Sequence, residues 1–184
     1  MGTLEIIIGP MFFGKTEVLI EKYNTEFNKN PHNISMENII AFNYHKDTRY
    51  GNDGIISHSG KKISSIHIET LSQIFEDYKF LNRTHIFINE AQFFSDLKCC
   101  VIHLVEKYNK NVIICGLDSD FKREKFGDIW DLIPYSDNII KLKGKCNDCH
   151  KPSLFTYRTT NGKNQTVIGT KNYIPLCRIC YNEK

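Results

Sequence analysis

The segment GPMFFGKT, at residues 9–16, constrains the fold of this chain more than any other feature. It fits the pattern G-x-x-x-x-G-K-[ST], in which glycines let the backbone curl so that its N–H groups point at phosphate oxygens. An apolar run at residues 4–8 precedes it and a helical pattern follows it, which is the strand–loop–helix context of such loops. The sequence therefore predicts a phosphate-binding loop, with Lys15 near the β- and γ-phosphates and Thr16 on Mg²⁺.

Short apolar runs alternate with helical patterns along the chain. Strands are predicted at residues 4–8, 39–42, 86–88, 112–115 and 139–142, and helices after residue 16, at 71–78 and at 97–108. We expect Ser95 to cap the last helix and residues 45–62, which are polar and glycine-rich, to form a loop or loose hairpin. The alternation favours an α/β fold of the P-loop NTPase type, with a mainly parallel sheet covered by helices on both faces.

Two pairs of cysteines lie near the C-terminal end. Cys146 and Cys149 form one C-x-x-C pair, and Cys177 and Cys180 form the other. Each pair can bind one side of a tetrahedral Zn²⁺, and four thiolates leave no open position, so the predicted metal is structural. The chain has 7 cysteines in all and no export signal, which argues against a disulfide framework.

The pattern of the sequence changes near residue 143, where long apolar runs stop and paired cysteines begin. We therefore predict a P-loop α/β domain at residues 1–143 and a small zinc-binding domain at residues 144–184. The remaining cysteines occur in helix and strand patterns, where they are expected to be small core residues; they are Cys99, Cys100 and Cys115.

Composition and charge exclude some classes of protein. The chain has 184 residues and a formal net charge of +3, which is too weak to indicate a dedicated nucleic-acid binder. It contains no run of about 18 apolar residues, so we expect no membrane span. The N-terminus lacks a basic segment followed by an apolar one, so we expect a cytoplasmic protein.

The apolar run at residues 86–88 ends in the polar pair Asn89-Glu90. P-loop proteins place an acid that holds Mg²⁺ at the tip of a strand beside the loop, and here that position is an asparagine. Glu90 is a candidate general base, since a carboxylate near the γ-phosphate can accept the proton of an attacking hydroxyl. The alternative is a helix-capping or surface carboxylate, which we would favour if the phosphate loop were missing.

Five stretches, in order, resemble motifs of the type II thymidine kinases found in animal cells, many bacteria and large DNA viruses. They are GPMFFGKT (9–16), KDTRY (46–50), NEAQFF (89–94), GLDSDFKREKFG (116–127), and VIG (167–169) with Tyr173 and CRICY (177–181). The resemblance covers almost the whole chain. It implies transfer of the ATP γ-phosphate to the 5′-OH of thymidine, or also of deoxyuridine, in deoxynucleotide salvage for DNA synthesis.

The resemblance also implies site residues. The catalytic group would comprise Glu90, Lys15 and Arg49. The ATP site would comprise Gly9, Pro10, Met11, Phe12, Phe13, Gly14, Lys15, Thr16, Asp47, Thr48, Arg49, Asn89 and Gln92. Thymidine would meet Met11, Asp47, Phe93, Leu117, Phe121, Phe126, Thr156, Gln165, Thr166, Val167, Ile168, Gly169 and Tyr173. The segment between the cysteine pairs would be the lasso of the family, which closes over thymine and reads it largely through backbone groups.

Partners and cofactors follow from the same resemblance. The family uses Mg²⁺ with ATP and a structural Zn²⁺, and its members are usually homotetramers. Feedback binding of thymidine triphosphate is expected, and binding of nucleic acid or of a membrane is not.

Asn89 is the main departure from the family pattern, which has Asp at that position. Asparagine keeps one acceptor oxygen but loses the negative charge, so we expect an active enzyme with a raised Mg²⁺ requirement. Two alternatives stay open: a catalytically weakened nucleotide-binding relative, and a zinc-ribbon P-loop ATPase that binds nucleic acid. A GTPase is disfavoured because we find no N-K-x-D motif.

Overall fold

The computed structural model describes residues 1–29, 38–47, 54–161, 164–165 and 172–184. Its strands are β1 (Thr3–Gly9), β2 (Ile39–Tyr44), β3 (Ile55–Ile56), β4 (Lys62–Ile63), β5 (Ile66–Ile68), β6 (His85–Ile88), β7 (Asn111–Leu117), β8 (Asn138–Lys141), β9 (Gly144–Lys145), β10 (Pro152–Ser153), β11 (Phe155–Arg158) and β12 (Tyr173–Leu176). Its α-helices are α1 (Lys15–Lys29), α2 (Gln73–Glu76), α3 (Tyr78–Leu81), α4 (Leu97–Ile102) and α5 (Arg178–Asn182). A π-helical stretch covers His103–Lys107, and 3₁₀-helices cover Ala91–Phe93 and Ile129–Tyr135.

Six strands form one central sheet in the order β5-β2-β6-β7-β1-β8. Every pairing in this sheet is parallel. The predicted α/β class with a mainly parallel sheet is therefore confirmed. The shorter pairs β3–β4, β9–β10 and β11–β12 are antiparallel and lie outside this sheet.

Helices cover both faces of the sheet, which explains the unbroken apolar strands. Successive side chains of a strand point to opposite faces. In β1, Ile6 and Ile8 belong to a buried cluster with residues of α2 and α4, whereas Ile7 packs in a second cluster with residues of α1. Tyr23 of α1 meets Phe87 of β6 edge to face, with ring centroids 5.2 Å apart.

The parallel arrangement sets the position of the functional side chains. The carboxyl ends of β1, β2, β6 and β7 all meet at the same edge of the sheet, where ligands of open α/β sheets bind. The loop at residues 9–16, the pair Asn89-Glu90 and the segment after Leu117 therefore lie side by side, although they are far apart in sequence.

Three local predictions need correction. Asp96, not Ser95, precedes the first turn of α4, and its carboxylate accepts hydrogen bonds from the N–H groups of Leu71 and Ser72. The helix predicted over residues 97–108 changes to π-helical geometry at His103. Cys99 is exposed, so it is not a core residue, whereas Cys100 and Cys115 are buried as predicted.

The chain leaves the central sheet after β8. The strands β9 to β12 and α5 then surround the four paired cysteines, with β11 packed against α5 and β12. The predicted division of the chain at residue 143 stays a prediction. Within the described ranges, no helix is both long and apolar enough to cross a membrane.

Candidate active site

The loop at residues 9–16 curls around the side chain of Lys15. Gly9 and Gly14 have φ angles of +153° and +68°, which side chains rarely allow. A Cβ at Gly9 would also lie 2.8 Å from the carbonyl oxygen of Leu142. The ammonium of Lys15 donates a 2.6 Å hydrogen bond to the carbonyl of Pro10, and the lysine is 9% exposed. The loop therefore holds a cation at its centre, at the start of α1.

A cavity of about 510 Å³ opens beside this loop. The predicted site residues that line it are Met11, Phe12, Phe13, Gly14, Lys15, Thr16, Asp47, Glu90, Phe93, Leu117, Phe121, Phe126, Thr156, Gln165 and Tyr173. The predicted residues Gly9, Pro10, Asn89 and Gln92 are not part of this lining. Thr48, Arg49, Thr166, Val167, Ile168 and Gly169 lie outside the described residues.

Glu90 reaches the cavity from the end of β6 in a left-handed backbone conformation, with φ 53° and ψ 40°. Such a conformation costs a non-glycine residue free energy, and it is common where a side chain must be aimed. The side-chain amide nitrogen of Gln92 donates a 2.6 Å hydrogen bond to the Glu90 carboxylate. The side-chain oxygen of Gln92 accepts a hydrogen bond from the backbone N–H of Leu117. Gln92 therefore fixes the orientation of the Glu90 carboxylate.

The absence of a side chain at Gly116 makes room for Gln92. A Cβ at this position would lie 2.4 Å from Gln92 Oε1 and 2.5 Å from a methyl carbon of Ile129. Gln92 is 3% exposed, so it has little space to move away. Gly116 therefore lets strand β7 approach Gln92, the residue whose amide holds the Glu90 carboxylate.

Asn89 lies behind the cavity in a buried network of polar side chains. Its Oδ1 accepts hydrogen bonds from Thr16 Oγ1 at 3.4 Å and from Cys115 Sγ at 3.0 Å. Its Nδ2 donates to Asn43 Oδ1 at 2.9 Å, and Asn43 Nδ2 lies 3.1 Å from His67 Nε2. Burial raises the pKa of Cys115 to about 12, which keeps this thiol a neutral donor. An aspartate would lack the donor that Asn43 Oδ1 receives, so Asn43 would have to turn its amide to accommodate one.

Aromatic rings form the far wall of the cavity. The ring of Phe93 stacks on Tyr44 with centroids 5.2 Å apart and meets Phe126 edge to face at 5.4 Å. The backbone N–H of Met11 donates a 3.0 Å hydrogen bond to Thr156 Oγ1, which joins the loop at residues 9–16 to strand β11. The cavity therefore has a polar end at Lys15 and a flat, largely apolar end at these rings.

The strands β3 and β4 contribute a wall that sequence reasoning missed. Ser57, His58 and Ser59, at the turn between them, line the cavity. Ser59 Oγ donates to the carboxylate of Glu17 at 3.0 Å, and the ammonium of Lys61 lies 2.9 Å from the same carboxylate. Hydrogen bonds from Lys61 and Ser59 lower the pKa of Glu17. The residues carry no recognisable motif, so only the fold reveals their place.

The four paired cysteines converge at one point. Their sulfur atoms, from Cys146, Cys149, Cys177 and Cys180, all lie within 4.8 Å of one another. Zn–S bonds of about 2.3 Å in a tetrahedron place sulfurs about 3.8 Å apart, so the donor set fits zinc. Burial acts to raise the pKa of Cys146, but N–H groups of Cys149, Cys177 and Asp148 outweigh it and lower the pKa to about 6. Hydrogen bonds with Cys149 and Cys177 raise the pKa of Cys180, so without a metal the cluster shares its protons unevenly. A thiolate is the form that binds metal.

The fold and the site together define an α/β protein with a parallel sheet, a ligand cavity at the carboxyl edge of its strands and a C-terminal four-cysteine cluster. The family model described as "Thymidine kinase" matches residues 2–181. The chain belongs to the thymidine kinase family.

Individual relatives agree with the family match. The chain is 35% identical to a thymidine kinase of sheeppox virus (strain KS-1) over 181 residues, which cover 98% of this chain and 97% of the viral protein. It is 35% identical to a thymidine kinase of Mycoplasma mobile, with 99% and 88% of the two chains covered. A thymidine kinase of Oryza sativa subsp. japonica is also 35% identical, with 98% of this chain but only 66% of the rice protein covered.

Proposed function

We propose that this protein is a thymidine kinase, which transfers the γ-phosphate of ATP to the 5′-OH of thymidine. One observation carries the proposal: a single cavity joins the loop around Lys15 to a pocket of aromatic rings, and the carboxylate of Glu90 reaches it too. Family membership supports the same reaction. Phosphoryl transfer needs positioning and charge neutralisation more than covalent chemistry, and this arrangement supplies both.

The donor end of the cavity is the loop at residues 9–16 with the start of α1. The buried ammonium of Lys15 neutralises charge on the phosphates, and the N-terminus of a 15-residue helix favours anions. Thr16 Oγ1 and Asn89 Oδ1 are the oxygens that would hold Mg²⁺, directly or through water. When bound with ATP, Mg²⁺ adds charge neutralisation at the transferring phosphate.

Glu90 is the general base of the proposed reaction. Its carboxylate accepts the proton of the 5′-OH as the oxygen attacks the γ-phosphorus and the bond to the β-γ bridging oxygen breaks. The hydrogen bond from Gln92 holds one carboxylate oxygen in place. Arg49 is part of the proposed catalytic group on the family resemblance alone.

The acceptor end of the cavity suits a nucleoside. Phe93, Phe121 and Phe126 offer flat apolar surfaces on which a base can lie, and Thr156 and Tyr173 complete the lining. Deoxyuridine lacks only a methyl group relative to thymidine, and one methyl in an apolar pocket discriminates weakly, by about 10- to 200-fold. We therefore include deoxyuridine as a second acceptor of lower efficiency.

A catalytically weakened relative is the second candidate function, since Asn89 stands where the family pattern has Asp. The buried network argues that this asparagine is well accommodated, because both groups of its amide are hydrogen-bonded. We therefore propose that the change weakens Mg²⁺ binding and leaves transfer intact. The proposal also includes a structural Zn²⁺ at the four cysteines, a homotetramer, feedback binding of thymidine triphosphate and a cytoplasmic location.

A panel of nucleosides tests the proposed function. Purified protein is incubated with Mg·ATP and each of the common deoxynucleosides in turn, and the nucleoside monophosphates are separated and measured. We expect thymidine monophosphate as the main product, less deoxyuridine monophosphate and little of the purine products. Equal phosphorylation of all the nucleosides, or of none, would contradict the proposal.

A further inference from the structure

Arg158, in strand β11, is a buried cation that supports the nucleoside end of the cavity without lining it. Its side chain is 5% exposed, and its guanidinium carbon lies 3.7 Å from the centre of the Phe121 ring. One guanidinium nitrogen donates a 2.6 Å hydrogen bond to the hydroxyl of Tyr173. Phe121 and Tyr173 both line the cavity, so Arg158 orients two of its walls.

The same guanidinium holds a segment that lies seven residues further along the chain. Arg158 donates to the carbonyl of Asn164 at 2.6 Å and to the carbonyl of Gln165 at 3.0 Å. Its Nε has no hydrogen-bond partner among the described residues. If residues 164–165 moved away, the buried guanidinium would lose two of its hydrogen-bond acceptors, and burying it without them would cost free energy. Arg158 therefore favours the position of Gln165 at the cavity.

Asp120 holds the same residue from the other side. It is 5% exposed, and its Oδ1 accepts hydrogen bonds from the N–H groups of Lys122 and Glu124, which fix its orientation. Its Oδ2 accepts a 3.0 Å hydrogen bond from the side-chain amide of Gln165, which also donates to the carbonyl of Lys125 at 3.1 Å. Asp120 and Gln165 both line the cavity.

We propose that Asp120 and Arg158 are positioning residues that clamp Gln165, by its side chain and by its backbone, and thereby set the affinity for the nucleoside. This inference rests on the proposed function, since it names a nucleoside as the ligand. The clamp acts at the aromatic end of the cavity, so it affects the nucleoside and not ATP. Hydrogen bonds to charged groups are the stronger kind, and a clamp built from them holds its segment firmly.

Two single variants and their combination test the clamp. Asp120→Asn keeps Oδ1 for the turn but presents an amide to the amide of Gln165, and Gln165→Leu removes the same contact from the other side. We expect Asp120→Asn to raise the KM and Kd for thymidine by about tenfold, as for one lost charge-assisted hydrogen bond. Gln165→Leu also loses the hydrogen bond to the carbonyl of Lys125, so its effect should be at least as large. The KM for ATP should change little in both variants. The double variant should be no worse than Gln165→Leu alone, since that variant already lacks the contact with Asp120.

Asp128→Asn is the matched control. Asp128 lies on the same segment and pairs with Lys125 at 3.6 Å, but its side chain is 40% exposed and does not line the cavity. We expect its KM values to equal those of the wild type. The clamp would be contradicted if the increases in the KM for thymidine caused by Asp120→Asn and Gln165→Leu added in the double variant. It would also be contradicted if Asp128→Asn raised this KM as much as Asp120→Asn.

A readout in the unliganded protein keeps this inference separate from the proposed function. Hydrogen exchange of peptides that include Asn164 and Gln165 should be faster in Asp120→Asn and in Arg158→Lys than in Asp128→Asn. Unchanged exchange would overturn the clamp whatever reaction the protein catalyses. If exchange is faster but the wild type binds thymidine without phosphorylating it, the clamp stands and the proposed kinase activity fails.

Discussion

Glu90 combines three features at a single residue: a polar side chain at the end of a buried strand, a left-handed backbone and a carboxylate held by Gln92. The sequence alone predicted the first. The backbone conformation and the hydrogen bond emerge only from the fold, and both aim the carboxylate at the cavity. The role of Glu90 as base follows from this geometry as a proposal that mutation can test.

Replacement of Glu90 by glutamine should separate binding from chemistry. Glutamine has nearly the same shape but cannot accept the proton, so we expect kcat to fall by about 10²-fold or more. ATP affinity, measured by calorimetry, should stay near that of the wild type. Glu76→Gln, at an exposed carboxylate of α2, is the control and should retain full activity. Near-normal turnover in Glu90→Gln would remove Glu90 from its role.

Asn89 leads to a prediction about magnesium. Asn89→Asp restores a negative charge beside Thr16, so we expect half-saturation at a lower Mg²⁺ concentration than in the wild type. Asn43 must then rotate its amide to donate to the new carboxylate, and the loss of its present arrangement should lower stability. A Mg²⁺ titration of initial rates measures the first effect. The same half-saturation in both proteins would show that Asn89 does not limit metal binding.

The central sheet and the smaller unit that carries the four paired cysteines support different parts of the site. Helix α1 and strand β6 are joined through the buried ring of Phe87, which is 0% exposed and in contact with Tyr23. The strands β11 and β12 lie between the two cysteine pairs in the sequence and pair with each other. They contribute Thr156 and Tyr173 to the lining of the cavity. Mutations in the sheet and mutations in the cysteine-bearing unit should therefore have different effects.

Phe87→Ala should destabilise the whole protein. Removal of a buried phenylalanine leaves a cavity and loses transfer free energy, which together cost about 3–5 kcal/mol. Urea unfolding measures the change in free energy. Tyr78→Ala is the matched control, because this ring is 77% exposed, and we expect a change within about 0.5 kcal/mol. A small effect for Phe87 would mean that the sheet repacks around the vacated space.

Loss of the cysteine cluster should affect the nucleoside end of the cavity first. We expect about one zinc per chain, and we expect Cys180→Ser to lose it, lower the thermal midpoint and raise the KM for thymidine more than that for ATP. Elemental analysis, thermal unfolding and steady-state kinetics measure these effects. Cys99→Ser, at an exposed thiol outside the cluster, should keep its zinc. Full zinc content in Cys180→Ser would contradict the four-thiolate site.

Elements were predictable where their signal is local. The strands β1, β6 and β7 are apolar runs, and residues 9–16 form a motif with its own context, so both could be found without the fold. The strand β5 has three residues and was missed, and the hairpin of β3 and β4 was expected only as a loose alternative to a loop. The shift to π-helical geometry at His103 has no sequence signal that we recognise.

Contacts across the protein between residues distant in sequence were not predicted. Asp120 and Gln165 are 45 residues apart, and Asn89 and Asn43 are 46 apart. None of these contacts repeats with a period or matches a motif. They exist because parallel strands bring their carboxyl ends together and because the cysteine-bearing unit lies beside the segment after β7. The class of site was therefore predictable, whereas its supporting contacts were not.

We propose that the residues of the cavity catalyse transfer of a phosphoryl group from ATP to thymidine. The most direct measurement follows ADP and thymidine monophosphate together in reactions with Mg·ATP, with and without thymidine, and with nucleic acid in place of thymidine. We expect the two products in equal amounts, formed only when thymidine is present. ADP without thymidine monophosphate, or ADP formation that depends on nucleic acid, would contradict the proposed thymidine kinase activity.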